Sequence, residues 1–264
     1  MDLSIIIVNY NTKELLKKCV ESIKKTYPSG EIIVVDNASG DGSQDEISKM
    51  PVKSVLLNEN AGFSKANNIG LEYATGENIL FLNPDTVVCE NTLENCLDFL
   101  CDHKDAGAVG CKVVLPDGNL DKACKRKFPN VFNSFCTIFK IAKLFPKFGY
   151  NIVGNDDGVY PVDCLVGAFM MCPKAVLDKT GGFDEDFFMY GEDIDLCLRI
   201  KKAGFEIWYL GNSEIVHVKG ASGKRSAKAK IAFYDSMSIY YKKHFGKGLF
   251  TKLVDIAVKI LKKI

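Results

Sequence analysis

The sequence predicts an α/β fold, a mostly parallel sheet covered on both faces by helices. Short β-branched apolar runs recur through the first third of the chain, segments with helical apolar spacing separate them, and polar clusters follow where the runs end. Strands and helices alternating in this way require right-handed crossovers and bury the parallel strands on both faces.

Residues 3–8 (LSIIIV) form the first such run and read as a buried strand. Thr12 stands where a helix cap is needed, and Leu15, Leu16, Cys19, Val20 and Ile23 follow at helical spacing. Residues 31–35 (EIIVV) are a second buried strand, ended by the turn-rich stretch DNASGDGS at 36–43. A third strand is expected over 52–57, a helix over 65–73 and a fourth strand over 78–82 (NILFL). After Asn83 the rhythm changes. A helix over 92–100 precedes the apolar stretch 107–115, a turn at Pro116-Asp117-Gly118-Asn119 and the basic stretch 122–127. Residues 132–148 are amphipathic and basic, 163–172 read as a strand, 193–203 as a helix, and 206–210 and 214–218 as two short strands. Helices over 227–245 and 249–264 close the chain, and no repeat or low-complexity linker marks a boundary before about residue 220.

With 264 residues, 47% hydrophobic and 25% charged, the chain suits one large α/β domain with room for an appended piece, which excludes a disordered protein. The ten cysteines form no C-x-x-C pair and mostly sit in apolar runs. They are expected to be reduced, buried thiols of a cytoplasmic protein, not a disulfide framework or zinc site. Met1-Asp2 leads directly into the first strand, so no signal peptide is expected, and no apolar stretch is long enough to span a membrane. The net charge of +1 hides an asymmetry. Residues 219–264 hold twelve Lys and Arg against Asp235 and Asp255, a net of +10 that leaves −9 on the remainder. An acidic body with a basic tail suggests different partners for the two parts.

In an open parallel sheet, ligands bind beyond the carboxyl ends of the strands. Those ends carry Asn9-Tyr10-Asn11, Asp36-Asn37 and Asn83-Pro84-Asp85. Turn chemistry alone explains Asp and Asn after any one strand, but three such clusters at one edge also suit a ligand site. Asp36 is suited to accept hydrogen bonds from a base or ribose, and Tyr10 offers a stacking face. The first turn, NYNTKE, has no glycine, which disfavours a dinucleotide-dependent oxidoreductase, and a P-loop is absent. Asp85 is a candidate ligand for Mg²⁺ or Mn²⁺ on a diphosphate, which needs only one or two protein carboxylates. A plain strand-ending proline turn explains Asn83-Pro84-Asp85 equally well in isolation.

The densest polar cluster is GGFDEDFFMYGEDIDLCLR at 181–199. Glu192, Asp193 and Asp195 crowd a helix N-terminus, where simple capping would account for them. The neighbouring Phe183, Phe187, Phe188 and Tyr190 are too aromatic for a solvated loop, and carboxylates beside aromatic walls suit a general base or a sugar-binding acid. His217, one of three histidines, ends a short strand before Lys219-Gly220.

Together these segments resemble the family 2 glycosyltransferases of the GT-A fold, in particular the rhamnosyltransferase-like branch that builds bacterial and archaeal surface polysaccharides. The matching pieces are SIIIVNYNT (4–12), IIVVDNASGDGS (32–43), NAGFSKANNIGLEYATGENILFLNPDT (60–86), VGAFMMCPKAVLDKTGGFDEDFFMYGEDIDLCLRIKKAG (166–204) and VHVKGAS (216–222). The resemblance implies a Rossmann-like sheet with a smaller mixed-sheet acceptor region. Residues 1–222 would form the catalytic domain, divided into a nucleotide-sugar half (1–115) and an acceptor half (116–222), with 223–264 a basic helical extension. It implies that Val8, Tyr10, Asp36, Asn60, Gly62, Phe63 and Asn67 lie on the nucleotide-sugar side, with Asn83-Pro84-Asp85 in the place of the family's Asp-x-Asp metal motif. The first carboxylate of that motif is here Asn83, leaving Asp85 as the main ligand and His217 as the late one for Mg²⁺ or Mn²⁺. Asp193 would be the general base, and Gly167, Ala168, Tyr190 and Glu192 would line the acceptor side. The implied reaction is an inverting transfer from a dTDP- or UDP-sugar to a glycan or lipid-linked acceptor.

The last helix sets Leu253, Val254, Ala257 and Ile260 against Lys252, Lys259 and Lys262, and residues 132–148 repeat the theme. A basic amphipathic helix suits the cytoplasmic membrane face, while packing on the core or in a homodimer is the commoner fate of such stripes. Nucleic acid is not expected, since no aromatic-basic motif accompanies the lysines. Two other readings remain: a nucleotidyltransferase of similar topology, which would want a glycine-rich basic loop where NYNTKE stands, and a non-catalytic membrane-associated assembly subunit, against which Asp85, Asp193 and His217 speak.

Overall fold

The computed structural model describes residues 2–138, 141–218, 227–246 and 248–262. In its first half the chain runs β1 (Leu3–Asn9), α1 (Lys13–Thr26), β2 (Glu31–Asp36), α2 (Ser43–Ile47), β3 (Lys53–Leu56), α3 (Phe63–Glu72) and β4 (Asn78–Leu82). Strands β1, β2 and β4 have apolar centres with almost every residue buried, because each has neighbours on both edges as well as cover on its faces. Strand β1 pairs in parallel with β2 and β4, and β3 pairs in parallel with β2. The order β3-β2-β1-β4 means that the chain builds outward in one direction and then returns across β1. That reversal puts the topological switch point, where α/β sheets hold ligands, between the carboxyl ends of β1 and β4.

The second half comprises β5 (Thr86–Val88), α4 (Thr92–Asp102), β6 (Ala106–Val114), β7 (Lys125–Arg126), α5 (Val131–Ile138), α6 (Ile141–Leu144), a 3-10 turn (Pro146–Phe148), β8 (Val159–Val162) and β9 (Cys164–Leu165). It continues with β10 (Phe169–Pro173), α7 (Lys174–Thr180), α8 (Glu192–Lys202), β11 (Glu206–His217), α9 (Ala227–Phe245) and α10 (Leu249–Leu261). Strand β10 enters the main sheet antiparallel between β4 and β6, so the sheet is parallel through its first four strands and mixed beyond them.

Three local expectations change. Residues 163–172 are two strands: β9 pairs with β7 in a small separate sheet, while β10 joins the main one. The ladder breaks at Gly167 because its N–H is turned to the Asp193 carboxylate. Residues 206–217 are one strand, with a bulge between Leu210 and Glu214 that absorbs the turn-like Gly211-Asn212-Ser213. Thr12 occupies the N-cap of α1, but its hydroxyl donates to Asn9 Oδ1 and caps no helical amide.

Helices α9 and α10 pack on the body. Phe187, Tyr240 and Tyr241 form a buried cluster with Ile194, Leu198 and Val254 against it. Asp195, fully buried on α8, takes Lys243 (2.7 Å) and His244 (2.7 Å) from α9 and Arg199 (2.7 Å) from its own helix. Lys242 pairs with Asp255, and Lys262 with Asp235. Leu253 and Ile256 remain exposed on α10, and Phe132, Leu144 and Phe145 on the α5–α6 segment. Lys219, Gly220, Phe139, Lys140, Lys263 and Ile264, all part of the basic motifs read above, lie outside the described residues. Among the described residues no helix is long and apolar enough to cross a membrane. All ten cysteines are free and most are buried, and burial pushes the thiols of Cys19, Cys96 and Cys197 up to about 12.

Candidate active site

At the carboxyl end of β1, Asn9 is fully buried and donates to Asp36 Oδ1 (2.8 Å) and Ser39 Oγ (3.1 Å). Asp36 is itself fully buried and also accepts from the Ser39 N–H (2.9 Å) and Gln44 Nε2 (3.0 Å). Its carboxylate therefore shapes the 37–44 loop, while Tyr10 projects from the same strand end, half exposed. Asn37 extends the network: its amide donates to Asn60 Oδ1 (3.0 Å) and the Gly62 carbonyl (3.2 Å), and its Oδ1 accepts from the Ala61 N–H (2.8 Å). Gly62 (φ +88°) must be glycine twice over, since a Cβ there would lie 2.7 Å from both the ring and the carbonyl of Phe188. The Phe63 N–H donates to that Phe188 carbonyl (2.7 Å), tying the start of α3 to the loop before α8. Val8 is buried beneath this surface, and buried Asn67 turns its amide back to the Phe63 carbonyl (2.9 Å).

At the end of β4, the Asn83 N–H donates to the Ala168 carbonyl (3.0 Å), and the Asn83 carbonyl accepts from Thr86 Oγ1 (2.8 Å). Past Pro84, Asp85 Oδ1 lies 3.1 Å from His217 Nε2, a contact across 132 residues that the antiparallel pairing of β5 with β11 creates. Behind it, Asp121 Oδ2 stands 3.9 Å from His217 Nδ1, both side chains being buried. Among the described residues no group of three or more His, Cys, Asp or Glu side chains is arranged to hold a metal. The Asp85–His217 pair nevertheless fits a hard divalent ion shared with a diphosphate. Two donors at right angles, each about 2.1 Å from an octahedral ion, stand about 3 Å apart, and phosphate oxygens with water complete the shell.

A second set of polar groups is built around Gly167 and the start of α8. Asp193 Oδ2 accepts from the Gly167 N–H (3.0 Å) and from Arg126 Nη2 (2.6 Å), and its Oδ1 accepts from the Ile194 N–H (2.8 Å). Arg126 also donates to the Leu165 carbonyl. Burial pushes the Arg126 guanidinium toward losing its proton, but the charge and hydrogen bond of Asp193, together with Cys164 and Cys197, raise it on balance. Glu192 is 6% exposed, and burial followed by the adjacent Asp193 charge raises its carboxyl to about 8. A Cβ on Gly167 would stand 3.6 Å from Asp193 Cβ, 3.8 Å from Glu192 Oε1 and 3.8 Å from the Phe63 ring, so the starts of α8 and α3 both close on this one residue. Tyr190 (φ +70°) and Gly191 (φ +83°) run consecutively in the left-handed region, and the Tyr190 ring packs edge-on against Phe233 of α9. A non-glycine residue held there costs free energy, a feature that clusters at functional sites.

The two halves meet. Ala168 accepts the Asn83 N–H, and the preceding Gly167 donates to Asp193. The metal-type pair begins two residues beyond Asn83, so both sets of groups open at the carboxyl end of β4.

The family model described as "Glycosyl transferase family 2" matches residues 4–180. The chain belongs to this family. A second model, "N-terminal domain of galactosyltransferase", matches residues 153–220 of the transferase. Rhamnosyltransferase WbbL of Escherichia coli K12 is 28% identical over 220 residues, covering 81% of this chain and 82% of WbbL. N-acetylglucosaminyl-diphospho-decaprenol L-rhamnosyltransferase of Mycobacterium tuberculosis is 25% identical over 258 residues, covering 87% and 80%. Among solved structures, the mannosyltransferase PcManGT of Pyrobaculum calidifontis, in complex with GDP-Man and Mn²⁺, superposes with a TM-score of 0.65 at 19% identity, over 97% of this chain and 68% of that one. The fold is thus that of the GT-A glycosyltransferases.

Sequence reasoning singled out neither Arg126 nor Asp121, which the fold brings against Asp193 and His217. Arg126 and Lys125 belong to the basic stretch 122–127, yet both are buried. Lys125 Nζ reaches the Gly154 carbonyl (2.7 Å), Asp156 (2.7 Å) and Tyr160 Oη (2.8 Å), and sits 4.8 Å from the Tyr209 ring centre. The available signal was the unit Cys124-Lys125-Arg126, two cations beside an apolar residue and a turn. Asn37 was read with Asp36 as one of the polar clusters at the strand ends, and Asp121 offered no local signal.

Proposed function

We propose that this family 2 glycosyltransferase is an inverting hexosyltransferase that moves a sugar, with rhamnose the first candidate, from a nucleoside-diphosphate donor to a glycan or lipid-linked acceptor. One observation supports this most: the Asp85–His217 pair and the Asp193–Gly167 contact open from the same strand end, where the Asn83–Ala168 bond joins them. A diphosphate and a proton acceptor are needed on opposite sides of one anomeric carbon, and these groups are suited to flank it. WbbL and the mycobacterial relative are by name rhamnosyltransferases, and PcManGT was solved with a nucleotide sugar. Residues 1–115 would serve the donor and 116–222 the acceptor, with the C-terminal helices beside the acceptor side.

In the proposed reaction Asp193 takes the proton of an acceptor hydroxyl while that oxygen attacks the anomeric carbon. The carbon–phosphate oxygen bond breaks as the new bond forms, and the nucleoside diphosphate leaves with the electron pair. Arg126 and the Gly167 N–H hold Asp193 in place, and Tyr10, Asn60 and the Gly62-Phe63 turn are placed to border the donor. A divalent ion held by Asp85 and His217 would offset charge on the departing diphosphate. Product analysis tests the reading: a panel of dTDP-, UDP- and GDP-sugars should yield one transferred sugar whose anomeric configuration is opposite to the donor's. Retained configuration would overturn the inverting mechanism.

The metal role has its own check. In the wild-type chain, Mn²⁺ should add to the thermal stabilisation given by the preferred nucleoside diphosphate, since a ligand stabilises the fold in proportion to occupancy. In Asp85→Ala or His217→Ala, the Mn²⁺-dependent increment should disappear while the nucleotide's own increment remains. An unchanged Mn²⁺ increment would remove both residues from this role.

We also place the protein at the cytoplasmic membrane face through α10, where Leu253 and Ile256 lie exposed beside Lys252 and Lys259. Each lysine near an anionic surface is worth about 1 kcal/mol. Leu253→Glu with Ile256→Glu should abolish co-sedimentation with phosphatidylglycerol vesicles, and equal sedimentation of the variant would defeat this placement.

A further inference from the structure

Two carboxylates lie side by side at the start of α8, and one cation serves them. Arg126 Nη2 donates to Asp193 (2.6 Å) and to the Leu165 carbonyl. Asp193 is completed by the backbone N–H groups of Gly167 (3.0 Å) and Ile194 (2.8 Å). Glu192 receives none of these donors. Its Oε2 is buried without a hydrogen-bond partner, and Oε1 lies 3.8 Å from where a Cβ on Gly167 would stand, on the same wall as Asp193.

Resting on the glycosyl transfer proposed above, we propose that Glu192 is a specificity-determining residue of the acceptor side, a carboxylic acid that donates a hydrogen bond to an acceptor oxygen next to the hydroxyl that Asp193 deprotonates. A carboxylate with a bare buried oxygen beside a second negative charge is strongly disfavoured, whereas the acid form removes the charge and gains a donor. The helix N-terminus favours negative charge there, but that partial charge is weak against full desolvation. The hydrogen-bonding cations near the start of α8 are committed elsewhere, Arg126 to Asp193 and Lys243, His244 and Arg199 to Asp195, and the Arg126 charge and the Glu192 backbone N–H oppose burial and the Asp193 charge without reversing them. The upward shift of the Glu192 carboxyl to about 8 points the same way, with burial as its main cause.

The acid form suits a sugar acceptor. Ring, ether and hydroxyl oxygens all accept a hydrogen bond, so Glu192 would choose acceptors that present an oxygen beside the nucleophile and reject deoxy analogues there. A neutral donor also leaves Asp193 as the one charged proton acceptor on that wall, so the two adjacent residues are matched to two jobs.

Infrared difference spectra between wild type and Glu192→Gln should show a carboxylic-acid carbonyl band at pH 7 that vanishes as pH rises through about 8. A carboxyl with a raised folded pKa contributes stability that is complete below its ordinary value of 4.5 and is lost progressively as pH rises from there to about 8. The wild-type melting temperature should accordingly fall over that window more than that of the Gln variant. In transfer assays Glu192→Ala should raise the acceptor KM about 3–10-fold, the worth of one neutral hydrogen bond. Glu192→Gln, which keeps a donor, should recover part of this, and the donor-nucleotide melting shift should be the same in all three proteins. Absence of the band at pH 7 overturns the proposal, as does a Gln variant as inactive as Asp193→Asn or an Ala variant with an unchanged acceptor KM. If no nucleotide sugar is transferred by the wild type, the functional reading fails by itself, while the infrared band still decides the state of Glu192.

Discussion

Asp193→Asn is expected to lower kcat for transfer by about 10²–10⁴-fold, the usual contribution of a general base, while donor binding survives. The substitution keeps the size of the side chain and an oxygen for Arg126 and the Gly167 N–H. It removes the one group placed to take a proton. It also puts an amide where Oδ1 now accepts from the Ile194 N–H, so the side chain must satisfy either that donor or Arg126. The loss of charge leaves Arg126 buried without its counter-ion, and some stability will go with it. Activity should therefore be measured well below the variant's melting temperature, with the nucleotide-induced melting shift as the check that the donor side is intact. Full transfer activity in this variant would remove Asp193 from its role.

Arg126→Met is expected to cost about 3–5 kcal/mol of stability, because it strands the Asp193 carboxylate in a site 10% exposed. Arg126→Lys should recover little, since the contacts to Asp193 and the Leu165 carbonyl are both made by Nη2 at the far end of the guanidinium, beyond the reach of the shorter lysine side chain. The sharper test is a double-mutant cycle in urea. Arg126→Met with Asp193→Asn removes both charges, so the double variant should lose clearly less than the sum of the single losses. Additive losses would mean that the ion pair is not the connection between these residues. Transfer should also fall in Arg126→Met, with the change in kcat exceeding that in donor affinity, since Arg126 acts through Asp193.

The parallel half of the fold was legible from local chain properties. A buried central strand must be apolar on both faces, so the runs at 3–8, 31–35 and 78–82 announced β1, β2 and β4, and the polar residues that follow them lie at the strand ends expected. The mixed half was less legible because its pairings are long-range. Residues 163–172 looked like one strand, since nothing local reveals that the Gly167 N–H leaves the ladder for a carboxylate 26 residues on. The turn-like residues 211–213 looked like a break and proved to be a bulge within β11. For the basic C-terminal helices the sequence left a membrane face and packing on the core both open, and Tyr240, Tyr241 and His244 anchor α9 on α8.

By itself, the sequence determined the α/β class, the strand ends that offer polar groups, and the crowding of Glu192 and Asp193 at the start of a helix, because each depends on periodicity and neighbours within one turn or strand. Only the tertiary structure decided that Asp85 faces His217 across 132 residues, that Arg126 crosses 67 residues to reach Asp193, and that Glu192 Oε2 is buried without a hydrogen-bond partner among the described residues. These contacts follow from strand order, with β10 inserted between β4 and β6 and β5 laid against β11. Strand order is settled by how the whole core packs, and no spacing along the chain reports it.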